Sequence, residues 1–469
     1  MLKQKSGPSR RKVILIGLDS APPELLLERF LDKMPTIRRL VKNGISGRMR
    51  SCDPPITVPA WMVMMTGMDP GQLGIYGFRN RKGWSYSDYY LTTSTMIKEK
   101  PIWEIIAQTA GMKSCLIGVP PSYPVRPIMG NLISCFLTPG LEKEYTYPHE
   151  LRDEVAEIVG EYEFDAAFRS DNRDEILEAI RRMTNKRFDL ANYMIEQKEW
   201  SFFMLVEIGL DRLHHTFWKY FDDTHPRFES GNRFEMVLED YYILLDKRIG
   251  ELIENCGEDT IIIIASDHGS KAMKGAFCIN EWLIREGYLK LAERPEGIVS
   301  IEDASVDWDK TKAWGWGGYY SRIFFNVKGR EDKGILTKEP GGDLDELVTE
   351  LKEKITRLVD NRGVPMKNTV FSPDELYKTV RGDPPDLMVY LDDLNWRAAG
   401  TIGHGKIYLE ENDTGPDDSV HSMDGVFILY DPRERIRKDI GTMSIMDAAP
   451  TILRRIGLSI PKEMIGKPV

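Results

Sequence analysis

The sequence contains few cysteines, and no two are spaced as in a redox or zinc motif. Its 5 cysteines stand at positions 52, 115, 135, 256 and 278 of a chain of 469 residues. An odd, dispersed set provides no disulfide framework and is typical of proteins from a reducing compartment. We therefore expect a cytoplasmic protein.

The chain also lacks a long hydrophobic run and an excess of positive charge. Behind the basic N-terminus MLKQKSGPSRRK, the apolar stretch VILIGL is too short for a signal-peptide core or a bilayer span. A flexible tail over residues 1–12 is the simpler interpretation, and no membrane span is expected. The formal net charge of −10 provides no basic surface for a nucleic-acid backbone, so we expect no nucleic-acid partner.

Short apolar runs that alternate with helical patterns are what the sequence does contain. The runs lie at 13–18, 114–119, 201–208, 260–266, 386–391 and 425–430, and helical patterns lie at 23–44, 102–111, 174–197 and 234–257. Runs of this length without polar alternation indicate strands buried on both faces of a mostly parallel sheet. The alternation predicts a doubly wound α/β fold.

The length of the chain leaves room for an elaboration of this fold. We predict a catalytic core over 13–270 and 384–469, interrupted by an insertion over 271–383. The insertion contains WGWGGYYSRIFFNVKGRE, which predicts a hairpin. We interpret the region as a cap that covers the site and selects substrates.

Asp267 and His268 form the sharpest motif, because they follow four consecutive isoleucines. A buried strand would deliver both side chains to its open end, where hydrogen bonds alone satisfy a carboxylate and an imidazole only at a high cost. Metal binding is the favoured interpretation. Mixed carboxylate and imidazole sets suit zinc first and manganese next.

Asp19 stands at the end of the first predicted strand. In open parallel sheets ligands bind at the carboxyl ends of strands, so Asp19 would face the crevice as a metal ligand. The alternative is that Asp19 or Ser20 caps the following helix. The sequence alone leaves both open.

Asp211 and His215 lie four residues apart in GLDRLHH, directly after an apolar run. On a helix they would share one face and could chelate one ion, although an ordinary ion pair has the same spacing. His214 would point elsewhere and is expected to pack.

His421 is the preferred last ligand, because it directly precedes the final core strand. His404, in the flexible stretch TIGHGK, is its rival. His149 and His225 are expected to be surface turn residues.

Thr57 stands at the entrance of an apolar helix, TVPAWMVMMTG. A hydroxyl there lies in a field that favours an anion, and a metal ion is one way to make its oxygen nucleophilic. The alternative is a helix-capping threonine.

This ordered set of motifs resembles the alkaline phosphatase superfamily, and within it the type I phosphodiesterase/nucleotide pyrophosphatase-like branch. The match is close to one subgroup of predicted phosphohydrolases or phosphomutases. The motifs are VILIGLDS, PPITVPAW with TGMDPGQLGIYGF, GLDRLHHTFW, IIIASDHGS with MKGAFCINEWLIREGYL, SVHSMDGVFIL and DAAPTILRRIGLSIPKEMIGKPV. The resemblance runs from residue 13 to the C-terminus and implies an alkaline-phosphatase-like fold.

The resemblance also implies roles for the matching residues. One metal would be surrounded by Asp19, Thr57, Asp267 and His268, and the other would be held by Asp211, His215 and His421. Two divalent ions would clamp the phosphoryl group while Thr57 attacks it in line, which gives a phosphothreonine intermediate. In the nucleotide pyrophosphatases an asparagine downstream of the nucleophile binds a phosphoryl oxygen, and Asn80 is the nearest candidate. Leu73 replaces a histidine usual in the family, which leaves the substrate open.

Three hypotheses for function follow. The first is a dinuclear metal phosphohydrolase that cleaves a small phosphodiester, pyrophosphate or phosphomonoester. The second is a phosphomutase that uses the same site, and the third is a non-enzymatic, metal-stabilised protein that binds a glycan or lipid headgroup. A nucleotide or glycosyl phosphate could stack on the hairpin aromatics Trp314, Trp316, Tyr319 and Tyr320, although packing of these rings against the core is the favoured alternative. The oligomeric state stays open.

Overall fold

The computed structural model describes residues 11–469. A flexible tail is predicted for residues 1–12, and residues 1–10 of it lie outside the described residues. Arg11 forms an ion pair with Asp431 at 2.5 Å. Within the described chain, no helix combines the length and hydropathy that a bilayer crossing requires.

The strands of the described chain are β1 Val13–Leu18, β2 Ile45–Arg50, β3 Arg79–Arg81, β4 Tyr89–Leu91, β5 Ser114–Ile117, β6 Gly130–Ile133, β7 Thr146–Tyr147, β8 Phe202–Glu207, β9 Ile261–Ala265, β10 Gly269–Ala272, β11 Gly275–Cys278, β12 Ala313–Trp316, β13 Ser321–Phe325, β14 Thr369–Phe371, β15 Leu387–Tyr390, β16 Trp396–Ala399, β17 Tyr408–Leu409, β18 Ser419–Ser422, β19 Asp424–Tyr430 and β20 Lys438–Ser444. The α-helices are α1 Pro35–Asn43, α2 Thr57–Thr66, α3 Pro70–Leu73, α4 Ile102–Ala110, α5 Leu151–Val159, α6 Arg173–Gln197, α7 Gly209–Phe221, α8 Val237–Glu254, α9 Ile279–Arg285, α10 Asp343–Thr356, α11 Pro373–Leu376 and α12 Ala448–Ile456.

A nine-stranded sheet organises the molecule, in the order β20-β2-β19-β9-β1-β8-β5-β6-β7. Its centre, from β9 through β1, β8 and β5 to β6, is parallel, whereas β19 runs antiparallel to both neighbours. The large, mostly parallel sheet confirms the predicted α/β class.

Both faces of this sheet are covered, as the continuous apolar runs predict. Ile14, Ile16 and Leu18 of β1 pack into one core with α6, α7 and α8. Val13 and Leu15 pack into the opposite core with α2, α4 and α12. The central strands are thus buried between two cores, and residues at their carboxyl ends can form a site.

The sequence predicts one continuous helical pattern over 23–44, and the structure shows that this prediction is wrong. The chain forms a π-helical segment at Glu24–Arg29, a 3₁₀ turn at Leu31–Lys33 and only then α1. Pro35 is the reason, because the residue before a proline is disfavoured in helical conformation. Met34 accordingly has φ −115° and ψ 80°.

Two smaller sheets, β12-β13-β15-β14 and β16-β11-β17, are formed by strands that lie between β9 and β19 in sequence, and they share a separate core. The predicted hairpin is present as the antiparallel pair β12 and β13. The domain boundaries stay a prediction. By strand pairing, the chain rejoins the nine-stranded sheet at β19.

Candidate functional site

Three adjacent parallel strands bring the site together. Asp19 follows β1, Asp267 and His268 follow β9, and α7, which carries Asp211, follows β8. Neighbouring parallel strands end at the same edge of a sheet, so residues more than 200 positions apart in sequence become neighbours there. All four side chains are buried.

The first cluster consists of Asp19, Asp267 and His268, whose ligand-type atoms lie within 4.8 Å of one another. His268 Nε2 is 3.2 Å from Asp267 Oδ2 and 3.8 Å from Asp19 Oδ1. Thr57 Oγ1 lies 3.3 Å from the same nitrogen. The hydroxyl proposed as nucleophile therefore borders this cluster.

The second cluster consists of Asp211, His268 and His421, again within 4.8 Å. His215 joins it through Asp211, because His215 Nε2 lies 3.3 Å from Asp211 Oδ1. His421 Nε2 lies 3.8 Å from that oxygen. His268 stands between the two clusters, and its ring stacks on that of His421 with centroids 3.8 Å apart.

Each aspartate has one buried oxygen without a hydrogen-bond partner: Asp19 Oδ1, Asp211 Oδ1 and Asp267 Oδ2. Such atoms are costly to bury unless a ligand satisfies them. Burial first, and then repulsion from Asp211, raises the pKa of Asp19, and burial followed by repulsion from Asp19 raises the pKa of Asp267. The residues present therefore fit divalent cations, which would satisfy these oxygens and neutralise their charges.

The imidazoles are oriented with their Nε2 atoms towards the aspartates. His421 Nδ1 donates to Pro55 O at 2.8 Å, and His268 Nδ1 donates to Gly269 O at 3.1 Å. His215 Nδ1 lies 2.7 Å from Asp417 Oδ1. Partners of this kind fix the tautomer of metal-binding histidines. Burial lowers the pKa of His268 to about 4, which favours the neutral form that binds metals.

Neither Thr57 nor Asp19 caps a helix. Thr57 is the first residue of α2, where Ile56 occupies the cap position without a side-chain hydrogen bond. Asp19 accepts instead from Trp61 Nε1 at 2.8 Å, which holds its free oxygen in the cluster. The capping alternatives considered for these residues therefore do not describe their contacts.

Asn80 is committed to local structure. Its Oδ1 accepts from Tyr76 N at 3.0 Å, and its Nδ2 donates to Gly77 O at 3.2 Å and to Thr92 Oγ1 at 2.8 Å. The structure does not bring this side chain into either cluster. Its role in binding a phosphoryl oxygen stays a prediction.

The remaining histidines lie outside the clusters. His404 contacts Thr401 Oγ1 at 2.7 Å, and His214 packs against Trp218 and contacts Tyr242. The expectation of a surface turn is wrong for His225, which is buried and whose Nε2 donates to Asp418 O at 3.0 Å. Its turn-rich sequence context concealed this long-range contact.

The sequence interpretation did not predict the roles of two residues in the site, Asp417 and Tyr319. Asp417 orients His215, and Tyr319 stacks on His421 with centroids 3.6 Å apart while its hydroxyl lies 3.0 Å from His215 Nε2. Trp314 and Tyr320 are buried, as the core-packing alternative expects. The acidic pair Asp417–Asp418 directly precedes the strand that carries His421. This pair was the sequence feature from which the role of Asp417 could have been predicted.

Asp417→Asn should weaken metal binding by about 10- to 100-fold, the usual effect of losing such an orienting partner. The amide cannot hold the imidazole through a charge-assisted hydrogen bond. Metal affinity is measured by competition with a chromogenic chelator. Asp418→Asn is the matched control, because this carboxylate contacts Arg227 and Lys219 instead of His215. Equal losses in both variants would contradict the assignment.

The chain is similar to known proteins in sequence family and in fold. A family model described as type I phosphodiesterase/nucleotide pyrophosphatase matches residues 13–417. Among solved structures, the chain is similar to human ectonucleotide pyrophosphatase/phosphodiesterase 5, with a TM-score of 0.55, 14% identity, and coverage of 98% of this chain and 97% of that one. At this identity the likeness concerns the fold. A search of curated proteins finds no match.

Proposed function

This chain belongs to the type I phosphodiesterase/nucleotide pyrophosphatase family, a family of hydrolases, and we propose that it cleaves its substrate through a phosphothreonine intermediate at Thr57. Membership of this family supports hydrolysis of a phosphodiester or pyrophosphate bond. It favours the hydrolase over the non-enzymatic binding hypothesis. We further propose a nucleotide-type phosphorylated substrate and a cytoplasmic location.

The observation that carries the proposal is a hydroxyl beside partnerless buried carboxylates. Thr57 Oγ1 lies 3.3 Å from His268 Nε2, in the cluster where Asp19 and Asp267 each keep an unsatisfied oxygen. A purely structural zinc site is closed by protein ligands and needs no hydroxyl. The arrangement therefore supports a reactive centre.

The residues divide the work as follows. Two divalent cations, zinc in preference to manganese, would be held by the two clusters and would acidify the hydroxyl and neutralise phosphoryl charge. The Thr57 hydroxyl gives its proton to solvent as its oxygen forms a bond to phosphorus. The bond to the leaving oxygen breaks, and that oxygen keeps the bonding electron pair and takes up a proton. Water then attacks phosphorus, which releases the phosphate product and restores the Thr57 hydroxyl. Trp61 and the imidazole partners keep Asp19 and the histidines in place during both steps.

Metal analysis of the purified full-length protein should find about two divalent ions per chain, because the clusters offer two ligand sets. Chelation should abolish hydrolysis of bis(4-nitrophenyl) phosphate, and zinc or manganese should restore it. A parallel assay on 4-nitrophenyl phosphate measures the preference for diesters over monoesters. Full activity of metal-free protein would disprove the proposal.

A further inference from the structure

An arginine-lined cleft opens beside the clusters. A cavity of about 320 Å³ is bounded by Ile56, Arg212 and Tyr319, each of which adjoins the site. Ile56 precedes Thr57, Arg212 donates to Asp211 at 2.6 Å, and Tyr319 stacks on His421. A second cavity of about 210 Å³ continues from the first and shares Arg322 and the Gly317–Gly318 turn with it. The first cavity is thus lined by residues that adjoin the reactive centre, and the second shares part of its lining.

Five arginines line this cleft, and four of them are paired with carboxylates. The pairs are Arg79 with Glu302 at 2.7 Å, Arg169 with Asp417 at 3.3 Å, Arg212 with Asp165 at 2.7 Å, and Arg397 with Asp417 at 2.8 Å. Asp413, in the second cavity, accepts hydrogen bonds from Gly400 N and Thr401. Arg322 differs, because no carboxylate of the described chain lies within ion-pair distance of it.

Arg322 is held in place by uncharged partners. Its Nη1 donates to Arg79 O at 2.7 Å and its Nη2 donates to Gly317 O at 3.0 Å, while Nε is buried without a partner. Its guanidinium carbon lies 5.2 Å from the Trp316 ring centroid and 5.6 Å from that of Tyr320. Burial lowers its pKa. A cation fixed in this way, without a counter-ion, is costly unless a ligand brings negative charge.

We propose that Arg322 binds a second phosphate group of the substrate, separate from the phosphoryl group that Thr57 attacks. The inference rests on the proposed function and narrows its substrate class to phosphoric esters with a second phosphate. Planar guanidinium groups suit phosphate oxygens, and Arg322 is the arginine of this cleft whose charge no carboxylate of the described chain pairs at ion-pair distance. The two carbonyl anchors preorganise Arg322 for this contact.

The test compares two diesters that differ only in a terminal phosphate: ethyl 4-nitrophenyl phosphate and 2-phosphoethyl 4-nitrophenyl phosphate. With the metal-loaded full-length protein, we expect the second to have the higher kcat/KM by about 10- to 100-fold, the usual effect of a charge-assisted hydrogen bond. Both products are followed by ³¹P NMR, so cleavage on either side of the phosphodiester is detected.

Arg322→Gln should reduce this preference by about tenfold or more, mainly through a higher KM for the phosphoethyl diester. Arg322→Lys keeps the charge without the planar geometry and should give an intermediate preference. Arg433→Gln is the matched control, because Arg433 pairs with Asp259 at the surface and should leave the preference as it is.

The outcomes separate this inference from the function on which it rests. Hydrolysis of both diesters without preference in the original protein, or an unaltered preference in both Arg322 variants, overturns the second phosphate site alone. Hydrolysis of neither diester by metal-loaded protein overturns the proposed function, and this inference with it. Folding of each variant is checked by its thermal unfolding midpoint.

Discussion

Thr57→Ala should lose hydrolysis of bis(4-nitrophenyl) phosphate by roughly 10³- to 10⁶-fold, the range found when a catalytic nucleophile is removed. The substitution deletes the hydroxyl that lies 3.3 Å from His268 Nε2 and leaves the aspartates and histidines of both clusters in place. Metal content should therefore stay at the level of the original protein. Steady-state kinetics and metal analysis on the same preparation measure the two quantities.

Three comparisons sharpen this result. Thr57→Ser keeps a hydroxyl and should retain part of the activity, whereas Thr66→Ala, at the other end of α2, removes a buried hydroxyl that donates to Met62 O and should retain nearly all of it. Acid quenching of the original protein during turnover should yield a phosphopeptide containing Thr57. Full activity of Thr57→Ala would disprove the nucleophile assignment.

The central sheet was predictable because its strands carry a local signal. VILIGL and TIIIIAS are apolar on both faces, and they form β1 and β9, paired in parallel between two cores. Ligands that directly follow such strands are predictable for the same reason. Asp19, Asp267 and His268 each stand at the end of a strand whose position the pattern fixes.

Other features depend on contacts that no local pattern encodes. In sequence, Arg322 is one charged residue in an ordinary strand pattern. That it has no carboxylate within ion-pair distance depends on the fold and could not be predicted from the sequence. His225 looks like a turn residue in sequence, yet it is buried against the backbone of Asp418. The strand order β20-β2-β19-β9 likewise depends on long-range pairing of segments that are far apart in the chain.

The site also shows why a buried negative cluster persists in a stable fold. Asp19 and Asp267 repel each other in the protein interior, where the attraction or repulsion of charges is stronger than in water. Such an arrangement destabilises the metal-free chain and creates affinity for cations. The charges that bind cations at this edge of the sheet therefore lower the stability of the metal-free protein.

Asp267→Asn should therefore stabilise the metal-free protein while it reduces catalysis. The amide keeps an oxygen that accepts from Ser20 N, at 3.2 Å in the present structure, but it removes one negative charge from the cluster. In chelator, we expect the free energy of unfolding to rise by about 1–4 kcal/mol, the scale of a charge pair at intermediate dielectric. With metals, we expect about one ion fewer per chain and kcat/KM lower by roughly 10²-fold or more, because one phosphoryl-stabilising charge is weakened.

Denaturant unfolding with and without chelator, together with metal analysis, measures these opposite effects. Asp431→Asn is the matched control, because this carboxylate pairs with Arg11 and Arg455. It directly follows β19, which runs antiparallel to β9, so it lies at the edge of the sheet opposite the clusters. Its loss should lower stability in both conditions and leave the metal content as it is. If Asp267→Asn lowered the stability of the metal-free protein as Asp431→Asn does, mutual repulsion could not be what the bound cations relieve.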